Sequence, residues 1–252
     1  MGQVIAVVNQ KGGVGKTTTA VNLTAALRAV GKKVLLCDFD PQANGTSGLG
    51  VDKKQVKHSS YDIIISDVKA KDSIVSTEFG DVIPSTAALA GAGIELIDVA
   101  DREYSLKRAL DQIKDEYDYI FVDSPPSLEL LTLNALCAAD SILIPVQCEY
   151  YALEGLSDLM TTLRAVKRKL NPRLEIFGVL LTMYDGRTNF SNQVAEEVRR
   201  HFPGKVYSSV IPRNVRLAEA PSHGLPVIAY DRSSKGSRAY IAVAEEIVRK
   251  NP

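Results

Sequence analysis

The sequence of 252 residues has no tryptophan, three cysteines and three histidines. The cysteines, Cys37, Cys137 and Cys148, are far apart and form no C-x-x-C pair. This spacing argues against a disulfide framework, a zinc site or an iron–sulfur cluster, and it indicates a reducing compartment. The histidines have no spacing typical of a Ser-His-Asp triad or a metal site. No apolar run approaches the ~18 residues of a membrane span, and the amino terminus lacks the basic flank of a signal peptide.

The sequence also lacks an excess of either charge, with 30 basic and 30 acidic residues. The overall charge therefore indicates neither a nucleic-acid partner nor a membrane. The distribution is uneven, because residues 187–252 contain 11 Lys/Arg and 6 Asp/Glu, a net charge of +5 that leaves −5 on residues 1–186. This asymmetry is compatible with a basic face, and equally with a solvated helical surface.

Short β-branched runs alternate with longer segments of helical period, a pattern typical of βαβ units. We therefore predict a single α/β domain, residues 1–252, with a doubly wound, mainly parallel sheet covered by helices on both faces. Strands are predicted at residues 4–8, 33–36, 81–83, 119–122, 141–144, 176–181 and 206–211. Helices are predicted at residues 17–30, 104–116, 128–138, 154–170, 190–201 and 237–249. Residues 41–100 have the weakest periodicity, and we expect loops and short irregular helices there.

A glycine-rich segment follows the first predicted strand and precedes a helix rich in alanine and leucine. It reads Asn9-Gln10-Lys11-Gly12-Gly13-Val14-Gly15-Lys16-Thr17-Thr18. In such a unit the glycines let backbone N–H groups turn toward phosphate oxygens, Lys16 reaches the β- and γ-phosphates, and the Thr17 hydroxyl binds Mg²⁺. The spacing departs from G-x-x-x-x-G-K-[ST] at Gln10 and from the dinucleotide loop G-x-G-x-x-G at Thr18. A plain glycine turn with a surface lysine is the alternative.

Acidic residues follow two of the predicted strands. Asp38 and Asp40 stand two residues apart, so on an extended chain they face the same side. Asp123 ends the strand at residues 119–122, which is the Walker B pattern of a carboxylate that binds Mg²⁺ directly or through water. Because ligands bind outside the carboxyl ends of parallel strands, we expect these residues to converge on one site. The alternatives are a turn cap for the first pair and an ordinary strand end for Asp123.

Six segments together resemble the ParA/MinD family of deviant Walker A ATPases, and especially its short chromosomal ParA (Soj-like) branch. They are residues 11–17, Asp40-Pro41-Gln42, the strand end at residues 119–123, and residues 147–156, 182–188 and 211–222. The resemblance implies that residues 11–18 bind nucleotide, that Lys11 contacts the nucleotide of the other subunit, and that Asp40 orients the attacking water. It further implies that Pro212 and Asn214 lie beside the nucleobase and that Arg187 and Arg216 face DNA.

The function implied by this resemblance is that of an ATP-switched DNA-partitioning protein. It would bind ATP with Mg²⁺, close into a homodimer with nucleotide between the subunits, and bind DNA without sequence preference. Slow hydrolysis, stimulated by a ParB-type centromere-binding partner, would then release the DNA. A cytoplasmic, nucleoid-associated location follows from the same resemblance.

Relatives differ in the segments added to the shared domain, and three rival functions belong to other classes: a MinD-like membrane ATPase, an iron–sulfur carrier and a metabolic kinase. Plasmid relatives carry an amino-terminal helix-turn-helix region, and we expect none here because the first strand is predicted at residue 4. MinD relatives end in a basic amphipathic membrane helix, the main alternative. Here the apolar residues of the last helix instead predict an inner face packed on the domain, and we expect no membrane role. The iron–sulfur carrier branch needs paired cysteines, and a metabolic kinase needs an acceptor site that no motif indicates.

Overall fold

A computed structural model describes residues 2–127, 129–149 and 152–251, apart from the side chains of residues 152–154. Its seven strands form one sheet in the order β3-β4-β2-β5-β1-β6-β7. The strands are β1 (Gln3–Val7), β2 (Val34–Asp38), β3 (Val75–Thr77), β4 (Gly80–Ile83), β5 (Tyr119–Asp123), β6 (Ser141–Gln147) and β7 (Glu175–Thr182). All neighbouring strands are parallel except β3 and β4. The predicted fold class is confirmed.

Helices lie between the strands along the chain. They are α1 (Lys16–Ala29), α2 (Asn44–Gly48), α3 (Asp62–Ile65), α4 (Ala92–Glu95), α5 (Ser105–Leu110), α6 (Leu130–Ala138), α7 (Ala152–Lys169), α8 (Asn189–His201), α9 (Val215–Glu219), α10 (Val227–Tyr230) and α11 (Lys235–Lys250). The described part of residues 41–100 contains short helices and two short strands, as expected from its weak periodicity. Among the described residues, no helix is long and apolar enough to cross a membrane.

The sheet is covered by apolar side chains on both faces. On one face the buried residues of α5, α6, α7 and α8 pack on the strands. On the other face α1, α10 and α11 do so, and Tyr240, Val243 and Ile247 of α11 are buried. The predicted inner face of the last helix is therefore packed in the core. Strands buried on both faces read as continuous apolar runs, which is why the sequence located most of them correctly.

The predicted strand at residues 206–211 is wrong as a regular strand. This segment runs beside β7 and forms isolated parallel bridges, Val179 with Val206 and Tyr184 with Pro212. Between these bridges the backbone N–H groups of Ser208 and Ser209 donate to the buried carboxylate of Glu246. The N–H groups of Tyr207 and Ile211 donate to β7, at the Val179 and Leu181 carbonyls, but that of Ser209 between them bonds to Glu246, so the ladder is interrupted.

The predicted helix at residues 104–116 is interrupted. Helix α5 is followed by backbone hydrogen bonds from Gln112 to Ala109 and from Ile113 to Leu110, which span three residues instead of four. This tightening places Ile113 in the core, where it is 1% exposed. In two places the predictions fall outside the described residues, at residue 128 of one predicted helix and at residues 150–151 of the segment 147–156.

Candidate functional site

The loop between β1 and α1 has the backbone of an anion-binding loop. Gly13 and Gly15 have φ angles of +76° and +90°, which side-chain-bearing residues rarely adopt. A Cβ atom at Gly12 or Gly13 would meet no atom within 4 Å, so the loop borders open space. Helix α1 begins without a side-chain cap or an acidic residue in its first turn. The first N–H groups of α1 are therefore available to phosphate oxygens.

Hydrogen bonds with two other strands hold this loop in place. The side-chain amide of Asn9 donates to the Pro145 carbonyl over 2.8 Å, and its oxygen accepts from the Lys11 N–H over 3.0 Å. The Thr182 hydroxyl donates to the Val14 carbonyl over 2.9 Å. The bonds to Pro145 and from Thr182 tie the loop to β6 and β7, and the bond between Lys11 and Asn9 stiffens the loop itself. Contacts within the chain thus hold the loop in this conformation.

Three carboxylates and one ammonium group meet beside the loop. The register of β2 and β5 places Asp38 opposite Asp123, and Asp40 follows two residues later. Asp38 and Asp123 are fully buried, and Asp40 and Lys16 are 8% and 7% exposed. Lys16 Nζ donates to the Lys11 carbonyl over 3.2 Å. The predicted convergence of the strand-end acids is confirmed, and it leaves an excess of negative charge for a cation to balance.

Burial shifts the pKa values of these groups. It raises the pKa of Asp38 to about 6, although hydrogen bonds from the Thr46 hydroxyl and N–H oppose the shift. Burial, with the nearby charge of Asp38, raises the pKa of Asp123 well above its ordinary value. Burial lowers the pKa of Lys16, against the attraction of Asp123 and Asp40. Such opposed shifts in one cleft are typical of functional sites.

Asp123 has the character expected of a metal ligand. Neither of its carboxylate oxygens has a hydrogen-bond partner among the described residues, although both are buried. A buried carboxylate without hydrogen bonds destabilises the folded chain unless a cation or a water molecule binds to it. Thr17, the second residue of α1, lies close to Asp123. Mg²⁺ is usually held by one or two protein oxygens together with phosphates and waters, so the donors present fit it.

Asp40 is oriented by its own loop. Its Oδ1 accepts from the Gln42 N–H over 2.9 Å, and its N–H donates to Asp38 Oδ1 over 3.3 Å. Asp40 Oδ2, at the rim of the cleft, has no hydrogen bond with any described residue. A fixed carboxylate with one free oxygen can accept a hydrogen bond from a water molecule.

Lys11 makes an ion pair within its own chain. Its Nζ lies 3.6 Å from Glu149 Oε2, and Glu149 Oε1 also accepts from the Arg213 guanidinium over 3.4 Å. The side-chain amide of Gln147 donates to the same carboxylate. Lys11 is partly exposed, with 33% of its side-chain surface accessible. The side chain of Lys11 is thus paired with Glu149, while its backbone carbonyl accepts from Lys16 Nζ.

A cavity of about 370 Å³ adjoins the glycine-rich loop between β1 and α1. Gly15 and Thr18 line one side of it, and Pro212, Asn214 and Tyr240 line another. Asn214 also caps α9, because its Oδ1 accepts from the backbone N–H two residues later. The structure thus places both residues predicted to bind a nucleobase in a cavity that opens on the loop. Their contact with a base stays a prediction.

The two arginines predicted to face DNA lie outside this cavity and are both ion-paired. The guanidinium of Arg187, whose side chain is 90% exposed, forms hydrogen bonds of 2.9 and 2.7 Å with Asp185. This pairing lowers the pKa of Asp185 to about 2. Arg216 lies 2.7 Å from Glu219 and 3.4 Å from Asp231. DNA phosphates would therefore compete with carboxylates at both positions.

The sequence did not predict the contacts that support the site. Glu149 stood within a family-like segment, but no spacing linked it to Lys11, which is 138 positions away in the sequence. Asn9 and Thr182 each follow or end a strand at the predicted ligand edge, so their position was a usable signal. Arg213 also lines the cavity, but the resemblance assigned a role only to its neighbours Pro212 and Asn214.

Comparison with known proteins shows the family to which the chain belongs. A family model described as an AAA domain matches residues 2–176. The sporulation initiation inhibitor protein Soj of Bacillus subtilis is 59% identical, with 98% of both chains covered. The chromosome partitioning protein ParA of Caulobacter vibrioides is 52% identical, with 98% of this chain and 94% of the relative covered. The chain belongs to the ParA/Soj family.

A solved structure extends the likeness to three dimensions. Cobyrinic acid a,c-diamide synthase from Mycobacterium smegmatis, with bound ATP analogue and magnesium, superposes with a TM-score of 0.86 at 38% identity. The match covers 99% of this chain and 95% of the other. The ParA/Soj chain therefore has the fold of a protein that holds a magnesium nucleotide. The residue roles predicted from the family signatures stay predictions.

Proposed function

We propose that this protein is an ATP-dependent DNA-partitioning ATPase that acts as a nucleotide-switched homodimer. The observation that carries the proposal is the meeting of Lys16 with three buried strand-end carboxylates beside an uncapped helix terminus. This arrangement suits a ligand that brings both phosphate negative charge and a divalent cation. The full-length similarity to Soj and ParA relatives supports the choice of DNA partitioning as the process.

Nucleotide binding rests on the loop of residues 11–18. Its backbone N–H groups bind phosphate oxygens, and Lys16 neutralises charge on the β- and γ-phosphates. Thr17 holds Mg²⁺ and Asp123 supports it directly or through water, which would relieve the unsatisfied carboxylate. Mg²⁺ supplies charge neutralisation at the phosphates. Pro212 and Asn214 bind the base in the adjoining cavity.

Hydrolysis depends on Asp40. The oxygen of Asp40 that is not engaged in its turn accepts a hydrogen bond from the attacking water and orients it. The pair of Lys11 with Glu149 suggests why turnover is slow in an isolated chain. Lys11 must leave its own Glu149 before it can contact the nucleotide of the other subunit. Dimer formation would therefore exchange an exposed ion pair for a contact with phosphate.

DNA binding is assigned to Arg187 and Arg216. With a net charge of zero, the protein depends on a local basic patch, which is doubled in a dimer. The acidic partners of both arginines keep this patch weak in one subunit. We further propose that a ParB-type partner stimulates hydrolysis, and that the protein works in the cytoplasm on the nucleoid.

The proposal is tested by measuring the oligomeric state and DNA retention in the absence of nucleotide, with ADP, and with ATP. We expect a dimer and DNA retention with ATP alone, because each ligand of a switch must prefer one state. Equal DNA retention in all three conditions would refute the switch. Sedimentation with liposomes in ATP, without DNA retention, would instead favour the MinD-like membrane ATPase.

A further inference from the structure

A cluster of exposed apolar residues lies in and after α4. The part of the chain that the structure describes has six exposed large apolar residues, and three of them fall within residues 94–99. Ile94 is 77% exposed, Ile97 61% and Val99 42%. Single exposed apolar residues are common on proteins, whereas three within six residues of one segment make that segment a candidate interaction surface.

The segment is held rigidly although its side chains face solvent. Ala92 and Leu96 are buried in the core and anchor α4 from below. The Leu96 N–H donates to the Ala92 carbonyl, and the Val99 N–H donates to the Leu96 carbonyl, each over 3.0 Å. The Arg102 guanidinium fixes the Ile97 carbonyl over 2.7 Å. The exposed side chains are thus presented on a preformed backbone, which lowers the entropic cost of binding.

Acidic residues border these apolar side chains. Residues 94–103, here named the acidic-apolar surface, contain four carboxylates (Glu95, Asp98, Asp101 and Glu103) and one basic residue, Arg102, a net charge of −3. The nearby cations are directed to groups of this chain. Arg102 donates to the Ile97 carbonyl, and Arg108 donates to the Asp101 carbonyl and the Ser105 hydroxyl. Glu95 accepts from Tyr61, and Asp98, in the middle of the segment, has no hydrogen bond or ion pair with any described residue.

We propose that the acidic-apolar surface docks a basic amphipathic segment of a partner protein. The three apolar side chains match one face of such a segment, and the carboxylates around them match its Lys and Arg residues. The negative charge disfavours an anionic lipid surface and a nucleic acid, both of which would be repelled. None of its residues lines the cavity beside the phosphate loop. The inference therefore does not depend on the proposed ATPase function.

The test uses a defined probe, a fluorescently labelled peptide of roughly 18 residues in which leucine and lysine form the two faces of a helix. Fluorescence anisotropy measures its binding to the full-length protein. We expect Ile94→Ser with Ile97→Ser to weaken binding at least about tenfold, because the apolar contact area is lost. We expect Asp98→Asn with Asp101→Asn to weaken binding by about threefold or more at low salt and to reduce its salt dependence.

Val30→Ser serves as the matched control, because Val30 is also an exposed aliphatic residue, at the end of α1. It is expected to leave peptide binding unchanged, and thermal melting verifies that every variant is folded. The proposal is overturned if the surface variants bind the peptide as tightly as wild type, or if a peptide with glutamate in place of lysine binds equally well. Self-association or sedimentation with anionic vesicles that is lost in Ile94→Ser with Ile97→Ser would also overturn it, in favour of a second copy or a lipid surface.

Discussion

Two buried carboxylates in this chain have opposite surroundings. Glu246 on α11 is 2% exposed and accepts hydrogen bonds from the backbone N–H groups of Ser208 and Ser209, with Lys250 Nζ 2.9 Å away. Burial alone would raise its pKa, but these donors lower it to about 2. Asp123 is fully buried, and neither of its oxygens has a hydrogen-bond partner among the described residues; the nearby Thr17 hydroxyl lowers its pKa, but burial and the charge of Asp38 raise it well above the ordinary value. Both carboxylates are buried, and they differ in the hydrogen-bond donors that surround them.

This difference separates a structural charge from a functional one. The donors around Glu246 satisfy the carboxylate within the folded chain, so it stabilises the fold and needs no ligand. The charge of Asp123 is not balanced in this way and needs a bound cation, so in the free protein it lowers the free energy of unfolding. The same contrast holds for the neighbouring lysines, since Lys16 lies near the unsatisfied Asp123 and Lys250 lies beside the satisfied Glu246.

The largest effect is expected from removing the lysine at the ligand edge. Lys16→Ala should weaken ATP binding by about a hundredfold or more, because the phosphates lose their main counter-charge in a buried site. Lys250→Ala is the matched control and should leave ATP affinity unchanged. Isothermal titration with ATP and Mg²⁺ measures both. Normal ATP affinity in Lys16→Ala would mean that the phosphates bind elsewhere.

Asp40→Ala should separate binding from turnover. We expect the hydrolysis rate to fall by about 10²-fold or more, because the water-orienting carboxylate is lost while the loop and the metal ligands remain. The variant should accumulate as an ATP-bound dimer. Phosphate release and light scattering measure the two properties. Wild-type turnover, or failure to dimerise with ATP, would assign Asp40 another role.

Lys11→Ala should weaken ATP-dependent dimerisation by roughly tenfold and reduce hydrolysis, while ATP binding by the single chain is retained. A buried charge contact across subunits is worth on the order of 1–2 kcal/mol, whereas the exposed pair with Glu149 contributes little. Glu149→Gln is the matched variant, because it frees Lys11 without removing it. Sedimentation with ATP decides the matter. A normal, active dimer of Lys11→Ala would confine Lys11 to its own chain.

Two substitutions should change stability, with opposite signs. Asp123→Asn removes an unsatisfied buried charge and should raise the free energy of unfolding at pH 7 by about 1 kcal/mol, while abolishing Mg²⁺-dependent hydrolysis. Glu246→Gln should lower it by about 2–3 kcal/mol and leave hydrolysis unchanged. Urea unfolding without nucleotide measures both. A lower free energy of unfolding in Asp123→Asn would contradict the claim that Glu246 stabilises the fold and Asp123 destabilises it.

The pH dependence follows from the same shifts. Because the pKa of Glu246 is lower in the folded than in the unfolded chain, its contribution is present above about pH 4.5 and is lost as the pH falls toward about 2. Asp123 acts in the opposite direction, since its raised pKa makes the folded state less stable as the pH rises above about 4. Urea unfolding of each variant against pH should show the two slopes disappear separately.

The sequence predicted the ligand edge of the sheet better than its far side. The strands that end at Asp38 and Asp123 are continuous apolar runs, and a glycine loop with its lysine has few alternative structures. The partners of these residues were not predictable, because Glu149 reaches Lys11 and Glu246 reaches Ser208 only through the tertiary fold. Residues 206–211 have a strand-like composition, and a single carboxylate from α11 overrides it.

The central proposal, an ATP-formed dimer that binds DNA through Arg187 and Arg216, is tested most directly in a trapped dimer. Labelled DNA is titrated in ATP with Asp40→Ala and with Asp40→Ala combined with Arg187→Ala and Arg216→Ala, and sedimentation reports dimer and DNA together. We expect both proteins to dimerise and only the first to bind DNA, for all sequences alike. In single-arginine variants the salt slope should fall by about two units in a symmetric dimer. Unchanged affinity and salt dependence in a dimeric triple variant would contradict the proposal.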